Sequence, residues 1–114
     1  ETNSGSWFDP NSKNVHWNVS DGFNAMGDYG VISAPAFINL GHDLAHAFLL
    51  STGKNDYTFW FTKSDTRKPV SRDEIVATQL ENKIRMDYNL PRRAWYHFYK
   101  NNLGTYIKEG EIPK

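Results

Sequence analysis

The 114-residue sequence has no cysteine, no excess of charge of either sign and no long apolar run. Without cysteine there can be no disulfide, thiolate ligand or cysteine nucleophile, so any bound metal must rest on His, Asp or Glu. Thirteen basic residues balance thirteen acidic ones, which argues against nucleic-acid binding and against a polybasic membrane anchor. No apolar segment reaches the roughly 18 residues of a membrane-spanning helix. We therefore expect neither a nucleic-acid nor a membrane partner.

Length and composition indicate one globular domain with a core rich in aromatic rings. Aromatic residues make up 15% of the chain, and a chain of this length buries enough surface for one core but not for two. Residues 1–14 are rich in Ser, Asn and Gly and are predicted to form a polar N-terminal arm, with the folded domain over 15–114. The chain starts at Glu1 without Met, and we expect it to be a piece of a longer protein. We expect this domain to be a monomer.

The first of two predicted helices follows Ser33-Ala-Pro35. Ser33 is a suitable N-cap residue. Pro35 suits an early helical position, because the N–H that proline lacks would have no partner there. The apolar spacing extends to Ser51 or Thr52, and Gly53 is predicted to end the helix.

The second predicted helix spans about residues 72–88. Ser71 and Glu74 have the spacing of a capping box, in which Ser is the N-cap and Glu reaches back to its backbone. The remaining segments are predicted as strands at 14–19, 57–62 and 105–107, a loop at 21–30, a charged turn at 63–68 and a short helix at 91–101. Together these elements predict a small α+β domain with two principal helices and a few short strands.

His42 and His46 form the clearest candidate site. They stand four residues apart on the first predicted helix, so both imidazoles lie on one face, where they can bind one metal ion. Zinc proteases use such a pair with a third protein ligand and an open fourth position. An H-x-x-x-H pair also arises by chance, and a metal-free packing role is the alternative.

The third ligand is predicted to be a carboxylate on the second helix. Glu74, Glu81 and Asp73 are candidates, and we favour Glu74 because the small Ala77 one turn on allows the two helices to approach closely. Glu74 could instead serve only the capping box, and Glu81 could form only an i,i+4 ion pair with Arg85.

Three segments carry a resemblance to a known family: residues 35–47 (PAFINLGHDLAHA), 73–85 (DEIVATQLENKIR) and 90–96 (LPRRAWY). In this order they resemble the HExxH, E-x-x-A…E-N-x-x-R and L-P-x-R-x-x-Y motifs of zinc metallopeptidase toxin domains. These domains stand at the C-termini of bacterial Rhs-repeat and related polymorphic toxins, and they are similar to type III secretion effector metallopeptidases.

The resemblance implies a zincin-like, specifically gluzincin-like, fold with Zn2+ as cofactor. His42, His46 and Glu74 would be the metal ligands, with Glu81 as the alternative third ligand. Tyr96 would be a catalytic residue that stabilises the oxyanion of a tetrahedral intermediate, although it could also be core filler. The supporting residues would be Glu81, Asn82, Arg85 and Arg93.

The chain departs from the family pattern at Asp43, where the family has Glu. Asp43 would be the general base, but its carboxylate is one methylene shorter, and a misplacement of about 1 Å can cost on the order of a hundredfold in rate. A catalytically weak or dead metal-binding module that acts through a partner is therefore the alternative function.

The resemblance also implies a biological setting. The expected activity is zinc-dependent hydrolysis of a peptide bond in a target-cell protein, with a cognate immunity protein as a second partner. The domain would be secreted and delivered into a target cell as the C-terminal part of a larger bacterial protein.

Overall fold

The computed structural model describes residues 7–9, 14–16 and 23–114. Within these residues the elements follow one another as β1 (Trp7–Asp9), β2 (Asn14–His16), β3 (Phe23–Gly27), β4 (Val31–Ala34), α1 (Ala36–Ser51), β5 (Phe59–Thr62), β6 (Pro69–Ser71), α2 (Asp73–Asp87), β7 (Arg93–Lys100) and β8 (Tyr106–Glu111). The prediction of a small α+β domain with two helices is confirmed.

A four-stranded antiparallel sheet of order β4-β3-β7-β8 forms the centre of the fold. Two hairpins, β1–β2 and β5–β6, form separate two-stranded sheets. The first lies against α1, and rings of the second contact Tyr96 of β7. Trp7–Asp9, inside the predicted polar arm, pair with Asn14–His16. The rest of the arm and residues 17–19 of the predicted first strand lie outside the described residues.

Helix α1 begins three residues later than its predicted cap. Ser33 lies in β4, paired with Asn24, and Pro35 precedes the helix in an extended conformation (φ −58°, ψ 159°). A proline pushes the residue before it toward extended backbone, so Ala34 completes the strand and Ser33 cannot cap the helix. The predicted end is confirmed, because the helix stops at Ser51 and Gly53 adopts a left-handed φ of +71°.

The predicted capping box of α2 is wrong, although the helix itself is confirmed. Ser71 belongs to β6, the N-cap is Arg72, and no side chain caps the helix. Asp73 instead accepts a hydrogen bond from the Asp56 backbone N–H at 2.5 Å. The carboxylate of Glu74 makes no capping hydrogen bond and contacts His42 and His46 of α1 instead.

Two segments have a different structure from the one predicted. The glycine-rich segment 21–30, predicted as a loop, contains β3, and the aromatic segment 91–101, predicted as a short helix, contains β7. These two strands pair with each other, and each also has a second partner. Pairing on both edges favours strands in segments whose local sequence is ambiguous. The predicted strand at 57–62, turn at 63–68 and strand at 105–107 are found close to their expected positions.

The two helices pack against each other through small residues. Ala77 of α2 is fully buried, and a Cβ added at Gly41 of α1 would lie 2.4 Å from Ile84 of α2. This close approach sets the distance across which side chains of α1 and α2 can meet.

The apolar core of the described residues comprises Ala25, Met26, Ala34, Ile38, Ala45, Leu49, Val70, Ala77, Ala94 and Ile112. Neither helix is long and apolar enough to cross a membrane.

Candidate metal centre

His42 and His46 stand one turn apart on α1 with ring centroids 5.0 Å from each other. Both side chains face α2 and are largely buried, with 11% and 17% of their surface exposed. Burying two imidazoles requires polar partners for their ring nitrogens, since an unpaired buried polar group is costly.

Glu74 provides one partner for both rings. Its Oε1 atom lies 2.9 Å from Nε2 of His42 and 2.9 Å from Nε2 of His46. One carboxylate oxygen therefore lies against the same ring nitrogen of two histidines, as predicted for a shared metal site. The Glu74 side chain is 21% exposed, so this point of convergence is reached from solvent.

The opposite nitrogens of the two rings meet two other carboxylates. Nδ1 of His42 lies 3.0 Å from Oε1 of Glu81, and Nδ1 of His46 lies 3.5 Å from Oδ2 of Asp73. Metal-binding histidines commonly donate their second N–H to a carboxylate, which fixes the tautomer and orients the ring. Glu81 and Asp73, considered from the sequence as third ligands, occupy this orienting position.

The donor atoms of His42, His46 and Glu74 all lie within 4.8 Å of one another and can hold a metal ion. Ligands about 2.0–2.1 Å from a tetrahedral ion are about 3.3 Å apart. The observed separations of 2.9 Å are about 0.4 Å shorter, a difference that small side-chain rotations remove. Two Nε2 atoms, one carboxylate and oriented Nδ1 atoms thus fit an ion.

The charges of the cluster are strongly coupled. Burial alone would lower the pKa of His42, but its hydrogen bonds and attraction to Glu74 and Glu81 raise it to about 9. Burial would raise the pKa of Glu81, yet the hydrogen bond to His42 and the charge of Arg93 bring it to about 2. The pKa of Glu74 also lies far below its ordinary value, since its hydrogen bonds to His42 and His46 outweigh its burial.

Glu81 is the centre of a buried ionic network. Its side chain is 1% exposed and accepts hydrogen bonds from Arg85 Nε at 2.9 Å and from Arg93 at 3.0 Å. Arg85 is fully buried and also donates to the backbone carbonyl groups of Ser33 and Pro91. The network ties the strand β4 and the end of α2 to the carboxylate that orients His42.

Asn82 joins α2 to the start of β7. Its Oδ1 accepts a hydrogen bond from the Arg93 N–H at 2.7 Å, and its Nδ2 donates to the Arg93 carbonyl at 3.0 Å. The structure thus brings all four predicted supporting residues (Glu81, Asn82, Arg85 and Arg93) into one cluster.

Tyr96 reaches the cluster from β7. The register of β7 against β3 shifts by one residue between Trp95 and Arg93, and such a shift re-aims side chains. The Arg93 guanidinium lies 5.0 Å from the centre of the Tyr96 ring. Burial first, and then the negative charge of Glu74 and a hydrogen bond to it, raise the pKa of Tyr96 above its usual value. Its hydroxyl therefore keeps its proton at neutral pH and can donate a hydrogen bond.

Asp43 lies half-buried on α1, directly after His42. Its role as a base stays a prediction.

Lys63 and Lys68, which were predicted only as part of a charged turn, lie close to the cluster. Both line a cavity that Glu74 and Tyr96 also line. Charge in a turn between two strands is ordinary, and only the three-dimensional arrangement places these two lysines beside the candidate ligands.

Comparison of the chain with protein-family models, curated proteins and solved structures finds no significant match.

Proposed function

We propose that the protein is a zinc-dependent peptidase. The observation that carries this proposal is the orientation of the two histidines, with both Nε2 atoms against Glu74 and both Nδ1 atoms against other carboxylates. Two histidines and one glutamate form a ligand set of catalytic zinc sites, and three protein ligands leave one position for the reaction.

When bound, zinc polarises the scissile carbonyl and makes water a better nucleophile. Asp43, next to the first ligand, would take the proton of the attacking water. Tyr96 would donate a hydrogen bond to the developing oxyanion, which its raised pKa permits. Arg93 would hold Tyr96 in place, since it donates to the Tyr96 carbonyl at 2.6 Å and lies near its ring.

A metal-binding module with weak or no catalysis, acting through a partner, is the second candidate. The specific observation that favours it is the shorter side chain at Asp43, because proton transfer requires the base within hydrogen-bond reach of the water.

The resemblance to polymorphic-toxin metallopeptidases supports a wider proposal. The substrate would be a protein of a target cell, into which the domain is delivered from a larger secreted bacterial protein. A cognate immunity protein would protect the producing cell.

Metal analysis of the tag-free protein tests the site. We expect about one zinc per chain, and loss of zinc in a His42→Ala, His46→Ala double variant. His97→Ala is the matched control, since His97 pairs with Asp65 at 2.8 Å and is not one of the proposed zinc ligands. Full zinc occupancy in the double variant would exclude the site. Cleavage of a degenerate peptide mixture by the zinc-loaded protein then separates the peptidase from the binding module.

A further inference from the structure

A cavity of about 400 Å³ opens beside the candidate metal centre. Glu74 and Tyr96 form its inner end, and the exposed rings of Tyr57 and Phe59 line its outer part. A substrate whose scissile bond reaches the Glu74 carboxylate would therefore place a neighbouring side chain in this cavity.

Two lysines stand side by side in the same cavity. Lys63 and Lys68 flank the turn between β5 and β6, and the Lys63 N–H donates to the Lys68 carbonyl at 2.9 Å. Both side chains line the cavity. Like charges on facing residues of a hairpin repel each other, and an anion bound between them would relieve this repulsion.

The acidic residues at this turn have other partners, since Asp65 pairs with His97 at 2.8 Å and Glu109 accepts a hydrogen bond from the Ser64 N–H. The ion pairs among residues 23–114 include neither lysine. Lys63 has a cationic contact with the Tyr96 ring, 5.8 Å from its centre. Glu74, the acidic residue among those that line the cavity, already contacts His42 and His46.

We propose that the Lys63–Lys68 cavity is a specificity subsite that binds an anionic side chain of the peptide substrate, a carboxylate or a phosphate ester. The proposal rests on the proposed peptidase function for its place in catalysis. The binding of the anion depends only on the cavity. The aromatic rings at the outer part would cover the neighbouring aliphatic portion of the bound residue.

The test uses acetylated and amidated peptides of sequence Ala-Ala-X-Ala-Ala, in which X is Glu, phosphoserine, Gln or Lys. Binding is followed through the amide NMR signals of Lys63 and Lys68, in zinc-loaded protein and again with a chelator. Ion pairs that are open to solvent contribute only modestly to the free energy of binding. For the pairs of the peptide anion with the two lysines we therefore expect about fivefold tighter binding of the Glu or phosphoserine peptide than of the Gln peptide. Preference for phosphoserine alone would identify phosphate as the anion.

Three variants make the test specific. The Lys63→Glu, Lys68→Glu protein should prefer the Lys peptide, and the Lys63→Gln, Lys68→Gln protein should lose the preference without reversing it. The matched control is Lys54→Glu, Lys83→Glu, which changes the net charge equally at two exposed positions outside the cavity. Equal binding of all peptides by the parent protein, or equal loss of preference in the control, would overturn the subsite.

The subsite and the peptidase can fail separately. Anion binding with the chelator present supports the subsite even if no peptide is cleaved. Cleavage that is indifferent to the residue at X would contradict the subsite and leave the peptidase proposal intact.

Discussion

Nδ1 of His42 lies 3.0 Å from Oε1 of Glu81, and the same oxygen accepts a hydrogen bond from Arg93 at 3.0 Å. One buried carboxylate oxygen thus joins a candidate metal ligand to the strand that carries Tyr96. The consequences of removing Glu81 therefore differ from those of removing Glu74, which meets the opposite nitrogen of the same ring.

Glu74→Gln should weaken zinc binding by more than the roughly 100-fold that loss of an orienting residue can cost, because a neutral amide oxygen is a poorer zinc ligand than a carboxylate. Glu81→Gln should cost about tenfold, as expected for a residue that orients a ligand without touching the ion. Competition titration with a chromophoric chelator measures both. The reverse order would make Glu81 the third ligand.

Protein stability should respond in the opposite order. Glu81→Gln leaves the buried Arg85 and Arg93 without their counter-charge, and breaking a buried pair costs about 3–5 kcal/mol in the free energy of unfolding. Glu74→Gln should cost less, because its histidine partners can lose their protons. Denaturant unfolding of both variants in the presence of chelator makes the comparison. Equal losses would mean that the network around Glu81 contributes little.

Asp43→Asn should abolish peptide cleavage and leave zinc content unchanged, because Asp43 is a proposed base and not a ligand. If reach limits the rate, Asp43→Glu should equal or exceed the parent, since it restores the family's longer side chain. Single-turnover cleavage with parallel metal analysis tests both. An inactive Asp43→Glu protein beside an active parent would mean that the site is built around the shorter acid.

Tyr96→Phe should lower kcat about 100-fold or more if the hydroxyl binds the oxyanion, with zinc content unchanged. Tyr99→Phe on the same strand is the matched control, since its ring contacts His97 and not the metal cluster. A change confined to KM would indicate that Tyr96 contacts the substrate in its ground state only.

Zinc affinity should rise with pH. His42 has a pKa of about 9 in the metal-free protein and must lose a proton to bind zinc, so the apparent affinity should increase about tenfold per pH unit from 7 to 9.

The stability of the metal-free protein should show the opposite trend and fall as pH rises. A raised histidine pKa stabilises fully below the unfolded value near 6.5 and loses this contribution as pH rises through 9. Thermal unfolding with chelator, and zinc titration at each pH, check the two slopes. Glu81→Gln should reduce both.

The two histidines could be predicted from the sequence because their relation is local: residues four apart share a helix face whatever the rest of the fold does. Glu74 lies on another helix, and it was favoured among three carboxylates because the small Ala77 allows the two helices to approach closely. The capping box at Ser71 was a competing local pattern. The capping box does not form because Ser71 belongs to β6 and Arg72 is the N-cap of α2.

The sheet could not be predicted in the same way. Phe23–Gly27 and Arg93–Lys100 are nearly 70 residues apart and stabilise each other as strands through pairing, which no local window contains. The approach of Tyr96 and Arg93 to the cluster depends on that pairing and its register shift. The position of the two lysines was likewise not predicted, because the cavity that they share with Glu74 and Tyr96 exists only in the folded protein.

Asn82 presents to Arg93 the same donor and acceptor that a neighbouring strand would present. The first residue of β7 therefore has a helix side chain as its ladder partner, and α2 is hydrogen-bonded into the sheet as well as packed near it. Any sliding of α2 along β7 would break both bonds at once. These two bonds hold the helix that supplies Glu74 in one register against the strand that supplies Tyr96. Helix α1 with its two histidines joins the same sheet by a different route, because it follows directly from β4 in the chain.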